Sequence, residues 1–300
     1  MPRHSIKNLR AVHVFDVPLR EVSGICLRRG RKRKMSLIAV GDRAATIACL
    51  ALPPPDMSSL EWDTIDVADF DGTHLSHNGE QIEAVCADGA GRVLLLQESP
   101  PRVELVDLEA EKSIAAIELV VDEHHELADS WLHPKGSRGE GAVLLPGGHL
   151  LVAKEKKPSA LIEFGPRGLL PRGFARGGAL GDGVRWSPAK DCRAFMPLAT
   201  WYPDKKLDET CPDFSDLEIG PDGALYLLSD KSATIARIAP LRPRRGAGIA
   251  TLTASWRLDY LKGKPEGLAF APDGRAIVAL DKRKRHRNLA LLEPAVAVAR

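Results

Sequence analysis

Apolar and polar positions along this chain fall into short runs separated by turn residues. The stretch "KPEGLAFAPDGRAIVALDK" (264–282) has a polar start, an apolar run, a Pro-Asp-Gly break, a second apolar run and an acidic end. The frame returns in "FSDLEIGPDGALYLLSDK" (214–231), "GEGAVLLPGGHLLVAKEK" (139–156) and "QIEAVCADGAGRVLLLQES" (81–99). It returns again in "EVSGICLRRGRKRKMSLIAVGDR" (21–43), with its turn enlarged by basic residues. Runs rich in Val, Ile and Leu, broken by Pro, Gly and Asp, predict strand–turn–strand units.

Glu83 to Glu98, Glu140 to Glu155, Ser215 to Asp230 and Glu266 to Asp281 are each fifteen apart, and Ser23 to Asp42 is nineteen. A third strand candidate follows each hairpin ("ATIACLAL", "RVELVDL", "ALIEFGP", "TIARIAP", "NLALLEP"). A further one precedes each ("RAVHVFDV", "EWDTIDVA", "SIAAIELVV", "CRAFMPLA", "ASWRLDYL"). Four short strands repeated in this way predict an all-β fold, a β-propeller of four-stranded blades. Five blades of about sixty residues account for one domain over 8–300, after a tail at 1–7; a sixth is the alternative if 167–200 holds an eroded copy. The last unit lacks its outer strand, and Arg10 to Val17 stands alone at the other end of the chain. The N-terminal strand is therefore expected to complete the last blade, close the ring and leave no open edge.

With the first strand of each hairpin on the central channel, Ser23, Glu83, Glu140, Ser215 and Glu266 ring one mouth. Asp42, Glu98, Glu155, Asp230 and Asp281 stand beside them, and the Gly turns lie on the opposite face. A two-residue Asp-Gly hairpin would set Glu266 directly against Asp281, which costs up to roughly 1 kcal/mol per exposed like-charged pair; a bulge would shift that pairing by one residue. Clustered carboxylates suit a divalent cation, calcium above all, with Glu83, Glu140 and Glu266 as expected ligands and Glu140 also as a catalytic base. The competing reading makes the acids ties between blades, with Lys156, Lys231 and Lys282 neutralising three of them.

The loop 69–81 brings Asp71, His74, His77 and Asn78 to the acidic face, and the loop 121–141 brings His124, His125, Asp129, His133 and Arg138. His77 and His133 are candidate acid–base groups; Asn78 and Arg138 are candidate ligand contacts, together with Lys156, Asp230, Lys231 and Asp281. A long insertion, 167–213, is expected over the same face, presenting Trp201 and Tyr202 as an exposed aromatic pair beside Asp204.

Charge and composition narrow the classes. The 42 basic and 40 acidic residues leave a net charge of +2. The basic runs 28–34, 242–245 and 281–287 form no continuous stripe and carry no interleaved aromatics, so nucleic-acid binding is not expected. No apolar run suits a signal peptide or a membrane span. Five scattered cysteines without a CxxC pair fit a reducing cytoplasm, and no nucleophile-elbow, P-loop or zinc pattern occurs.

The residues Glu266-Gly267-Leu268 with Pro272-Asp273-Gly274, Ser215-Asp216-Leu217 with Pro221-Asp222-Gly223 and Ser229-Asp230-Lys231, and Glu140-Gly141 carry a resemblance. The repeat they form resembles the esterase-like domain associated with phytases, within the wider group of calcium-dependent phosphotriesterase-like propellers. The resemblance implies a channel-mouth site, sometimes with calcium, and hydrolysis of phosphoesters or other esters. The chain departs from the gluconolactonase-type pattern of a carboxylate with asparagines, having only Asn8, Asn78 and Asn288, and it lacks the aspartate-rich calcium loops of propeller phytases. The expected function is a ligand-binding propeller that could act as a metal-dependent hydrolase on a small molecule at the mouth. The alternative is a non-catalytic scaffold for a small molecule or a protein partner.

Overall fold

The computed structural model describes residues 7–30, 34–53, 60–77, 81–133, 137–189, 191–259 and 261–296. The strands β1 (Lys7–Leu9) and β2 (Ala11–Phe15) precede four in one sheet: β3 (Val22–Arg29), β4 (Met35–Gly41), β5 (Ala44–Leu52) and β6 (Trp62–Asp66). A second group follows as β7 (Ile82–Ala87), β8 (Val93–Gln97), β9 (Arg102–Asp107) and β10 (Lys112–Leu119). After helix α1 (Ala128–Leu132) come β11 (Gly139–Leu145), β12 (His149–Lys154), β13 (Ala160–Gly165) and β14 (Ala194–Pro203). Helix α2 (Lys205–Thr210) leads to β15 (Asp216–Ile219), β16 (Leu225–Ser229), β17 (Thr234–Ile238), β18 (Gly246–Ala250) and β19 (Leu252–Leu258). The final strands are β20 (Lys264–Phe270), β21 (Arg275–Asp281) and β22 (Leu289–Pro294).

The fold is a β-propeller of four-stranded sheets. The described strands make five such units, each ordered from an inner strand outward, and the strand order β2-β22-β21-β20 shows the N-terminal β2 completing the last one. Two blades carry an extra outer strand: β1 runs parallel to β19, and β18 runs parallel to β14. A short parallel pairing of Glu118–Leu119 with Ala194–Phe195 fuses the second and third blades at their outer edges. Among the described residues of 166–193, the one bridge outside the named strands joins Phe174 and Leu241. No helix among them is long and apolar enough to cross a membrane.

Both faces of each blade are buried, which is why the strands read as continuous apolar runs. Successive side chains point to opposite faces. On β4, Ile38 and Val40 pack toward the second blade, while Leu37 and Ala39 pack toward the last. On β12, Leu150 and Val152 pack against the second blade, while Leu151 and Ala153 pack against the fourth. Five hydrophobic clusters result, one in each gap between neighbouring blades.

The long insertion does not cover the acidic face as the sequence suggested. Third strands run away from the mouth, so the chain leaves β13 on the turn face, and residues 166–193 stay there until β14 returns. They form a strap over the hairpin turns: Gly177 donates to Gly223 O at 2.8 Å, and Gly183 donates to Gly89 O at 2.6 Å. Trp186 anchors it, its Nε1 donating to His149 O at 2.8 Å and its backbone N to Asp88 Oδ2 at 3.0 Å. A Cβ at Gly89 would lie 1.9 Å from Gly181 O, so only glycine admits the strap this close. Of the insertion, only 204–213, with α2, reaches the acidic face.

Trp201 moves with this correction. It lies on β14, is 1% exposed and packs in the cluster between the third and fourth blades, beyond a register shift that sets Ala199 and Trp201 on the face opposite to Phe195. Tyr202 faces the other way, half-buried, and its hydroxyl donates to Glu126. The pair is structural, not an exposed aromatic platform.

Candidate functional site at the acidic mouth

Where the inner strands begin, every blade carries the same irregularity. The ladder skips one residue between Val22 and Gly24, Ile82 and Ala84, Gly139 and Gly141, and Pro265 and Gly267. In the fourth blade Ser215 N donates to Leu228 O, although Asp216 already pairs with Leu228. Ser23, Glu83, Glu140, Ser215 and Glu266 are thus the extra residues of five β-bulges, a device that re-aims a side chain out of the ladder.

The direct opposition of Glu266 and Asp281 is accordingly replaced. The register pairs Lys264 with Asp281 and Pro265 with Leu280. The Pro-Asp-Gly turn is a three-residue loop, closed by Ala271 N to Arg275 O at 2.8 Å with Gly274 at φ 86°; the bulge at Glu266 adds one more residue. Lys264 stands where a like charge was expected.

The three bulged glutamates converge electrostatically. Glu83 is pushed up to about 8, by burial first and then by Asp42, Glu98, Glu266 and Glu155. Glu266 is also pushed up to about 8, by burial, Asp230, Asp281 and Glu155, with Lys264 opposing. Burial first, and then Glu83, Glu155, Glu98 and Glu266, push Glu140 well above the ordinary carboxylate value. None of the three makes a side-chain hydrogen bond or ion pair with a described residue. The serines do: Ser23 Oγ donates to Ile82 O and Ser215 Oγ to Pro265 O, the latter at 2.8 Å. Serine bulges therefore tie one blade to the next, and glutamate bulges leave their carboxyls turned to the mouth.

Around this ring the other predicted residues divide. Glu155 is paired with Lys156, and Lys156 N is held by Ser137 Oγ at 3.1 Å. Arg138 is committed to structure: its Nε donates to Trp131 O at 2.8 Å, its guanidinium reaches Glu98 O at 3.1 Å, and its backbone N donates to Glu98 Oε1 at 3.2 Å. It fastens the α1 loop to the second blade instead of waiting for a ligand. His133 caps the exposed end of α1. His77 sits at the outer rim, Nδ1 3.1 Å from Asp66 Oδ2 and Nε2 3.4 Å from Asp69 Oδ1, so both ring nitrogens face carboxylates rather than the mouth. Asn78 lies outside the described residues.

Several groups escaped the sequence reading. Asp213 is wholly buried, with one oxygen accepting from Ser229 Oγ and the other, Oδ2, carrying no donor; Asp230 Oδ1 is likewise buried without one. Asp213 rises to about 7 through burial and the neighbouring Asp230 carboxyl, against the pull of Ser229 and Lys231. Asp216 occupies the position that is Gly24, Ala84, Gly141 and Gly267 in the other blades, and it accepts from Leu268 N at 2.6 Å. That departure is visible in the aligned repeats. Deeper in the channel, Glu218 is pushed up to about 8 by burial.

Among the described residues, the one set of three acidic or histidine ligands with ligand atoms mutually within 4.8 Å is Asp66, Asp69 and His77. The mouth glutamates are spread more widely than a dry coordination sphere. A hydrated cation or a polar ligand fits that span.

No family model and no curated protein matches the chain in sequence. Solved structures do match in shape. A glutaminyl cyclase from Myxococcus xanthus aligns over 96% of this chain and 98% of its own, with 12% identity and a TM-score of 0.51. A calcium-binding protein, regucalcin, from Agrobacterium tumefaciens aligns over 99% and 98%, with 10% identity and a TM-score of 0.50. The chain spans 65% of the length of a Bacteroides caccae protein of unknown function, which covers 82% of this chain at 17% identity and a TM-score of 0.40. The two likenesses with TM-scores of 0.51 and 0.50 establish the propeller scaffold and nothing finer.

Proposed function

We propose that this protein is a ligand-binding propeller whose acidic mouth holds a hydrated divalent cation, calcium in preference, and that ester or phosphoester hydrolysis is the chemistry the mouth would support. The observation that carries the reading is the contrast among the five bulges. Serines at this position are used up in blade-to-blade bonds, whereas Glu83, Glu140 and Glu266 face the mouth without a side-chain donor among the described residues. Hard carboxylate oxygens are the donor set that calcium takes, with water completing the shell. The calcium-binding neighbour of the same fold is compatible with this reading.

Metal-free, Glu83 and Glu266 hold protons near neutral pH, so they offer O–H donors to a polar ligand. A bound cation would ionise them and could polarise an ester carbonyl or phosphoryl oxygen. The Asp213–Asp230 pair keeps an exchangeable proton at the edge of the same mouth. A small polar substrate is the expected partner.

Thermal unfolding of chelator-stripped protein tests this. Millimolar calcium should raise Tm in a concentration-dependent way, more than magnesium, and Glu140→Gln with Glu266→Gln should abolish the rise. An absent shift with every divalent metal would leave a metal-free ligand site in its place.

A further inference from the structure

The basic run 281–287 found no role in the acidic mouth, and the fold shows where two of its members go. Residues alternate faces at the end of β21. Asp281 acts on Glu266 and on Asp42 of the first blade, whereas Leu280 packs in the cluster shared with the fourth blade. Lys282 follows on Leu280's side. There, at the outer part of the gap between the fourth and last blades, lies a groove of about 830 Å³.

Its walls combine two chemistries. Val12, Val14 and Leu280 give an apolar strip, with Val12 48% exposed although it belongs to a strand. Arg10, Lys262, Lys282 and Arg287 surround the strip, against a single lining carboxylate, Asp259. No carboxylate among the described residues forms an ion pair with any of these four cations. Lys282 is fixed in place: its Nζ donates to Arg287 O at 2.6 Å, and its stem lies against Gly263, where a Cβ would come within 2.9 Å of Cε. The Arg287 backbone is fixed too, its N donating to Asp16 Oδ1 at 2.6 Å, while its side chain is exposed. Burial first and then the neighbouring Arg287 lower the Lys282 ammonium from its ordinary value, against the opposing pull of Asp16.

An apolar strip framed by four cations, against Asp259 in the lining and Asp16 behind Lys282 and Arg287, is complementary to an anion with a hydrocarbon body. We propose that this groove is a second binding site, separate from the acidic mouth, for small amphiphilic anions: an alkyl or aryl chain bearing a phosphate or carboxylate head. The head meets Lys262, Lys282 and Arg287, and the chain lies along Val12, Val14 and Leu280. Aligned guanidinium and ammonium donors make charge-assisted bonds to such heads, while the chain gains from leaving water. The mouth reading could fail without touching this one, because the two sites share no side chain.

Calorimetric titration with hexyl phosphate tests it. Hexyl phosphate should bind about tenfold or more tightly than hexanol, inorganic phosphate or hexylammonium, and rising salt should weaken it. The exposed substitutions Lys262→Gln and Arg287→Gln together should reduce its affinity by about tenfold. Val12→Gln should weaken hexyl phosphate but leave inorganic phosphate unchanged, and Glu140→Gln in the mouth should change neither. Circular dichroism confirms that each variant is folded. Equal binding of hexylammonium, insensitivity to the Lys262 and Arg287 changes, or no binding at millimolar hexyl phosphate would overturn the proposal.

Discussion

The two ends of the channel are built from the same hairpins and are opposites. At the turn face the described residues of the strap lie across the glycine turns, held by backbone hydrogen bonds, by the buried Trp186 and by Arg176 at Asp222. At the mouth, three of five equivalent side chains are carboxyls held out of the ladder, with no side-chain partner among the described residues. A fold repeating one motif five times has two ways to differ between ends: add chain at one, or vary one residue type at the other. This protein does both. The closed end buries its aromatic anchor and its turns, whereas the open end keeps buried carboxyls together at a cost to stability.

The largest effect should come from breaking the closed end. Trp186 is buried, packs edge-on against Phe195 with ring centroids 6.0 Å apart, and holds the strap to His149. Trp186→Ala should cost about 3–5 kcal/mol in urea unfolding, and the calcium-dependent Tm shift should survive wherever the fold does. Loss of that shift in a folded variant would mean that the two ends are coupled.

Much of this contrast is legible in the residues alone. The fifteen-residue spacing locates the blades, the mouth and the role of the N-terminal strand, because a repeat's frame depends on local turns and apolar runs. The bulges are not legible: Glu266 and Pro265 give no residue-level sign of which one leaves the ladder, since the choice is settled by how closely neighbouring inner strands approach at Gly24, Gly141 and Gly267. The strap departs from expectation for another reason. Strand parity fixes the face of each connection, and with residues 160–165 as a third strand the chain has to exit at the turn face. Trp201 differs because its polar neighbours suggest a loop, although 194–203 is a strand whose residues face two different cores on either side of a register shift.

The next effect in size belongs to the mouth alone and is read against pH. A carboxyl that holds its proton more tightly folded than unfolded supports the fold at low pH, and that support fades as pH climbs through the raised value. For Glu83 and Glu266 the window runs from the ordinary 4.5 to about 8. Asp213 adds a window from 3.8 to about 7. Metal-free protein should therefore lose several degrees of Tm between pH 5 and pH 8. Glu83→Gln with Glu266→Gln should flatten the upper part of the slope, and Asp213→Asn the lower part. A flat profile in the unsubstituted protein would show the carboxyls to be ordinary, solvated groups and would make the two ends electrostatically alike.

The smallest expected effect separates the two kinds of bulge within the mouth. Ser215 is 3% exposed and its hydroxyl bonds Pro265 O, directly before a glutamate bulge; Ser23 does the same at Ile82. Each Ser→Ala change removes one neutral hydrogen bond and leaves a carbonyl short of its partner, a loss of about 1 kcal/mol. Because each serine positions the strand that carries Glu266 or Glu83, calcium affinity should fall modestly along with stability. Glu83→Ala has no such bond to lose and should leave metal-free stability unchanged or raised at pH 8, while weakening calcium binding. If Ser215→Ala and Glu83→Ala lowered metal-free stability equally, the glutamates would be ties after all, and the mouth would be one more structural seam of the ring.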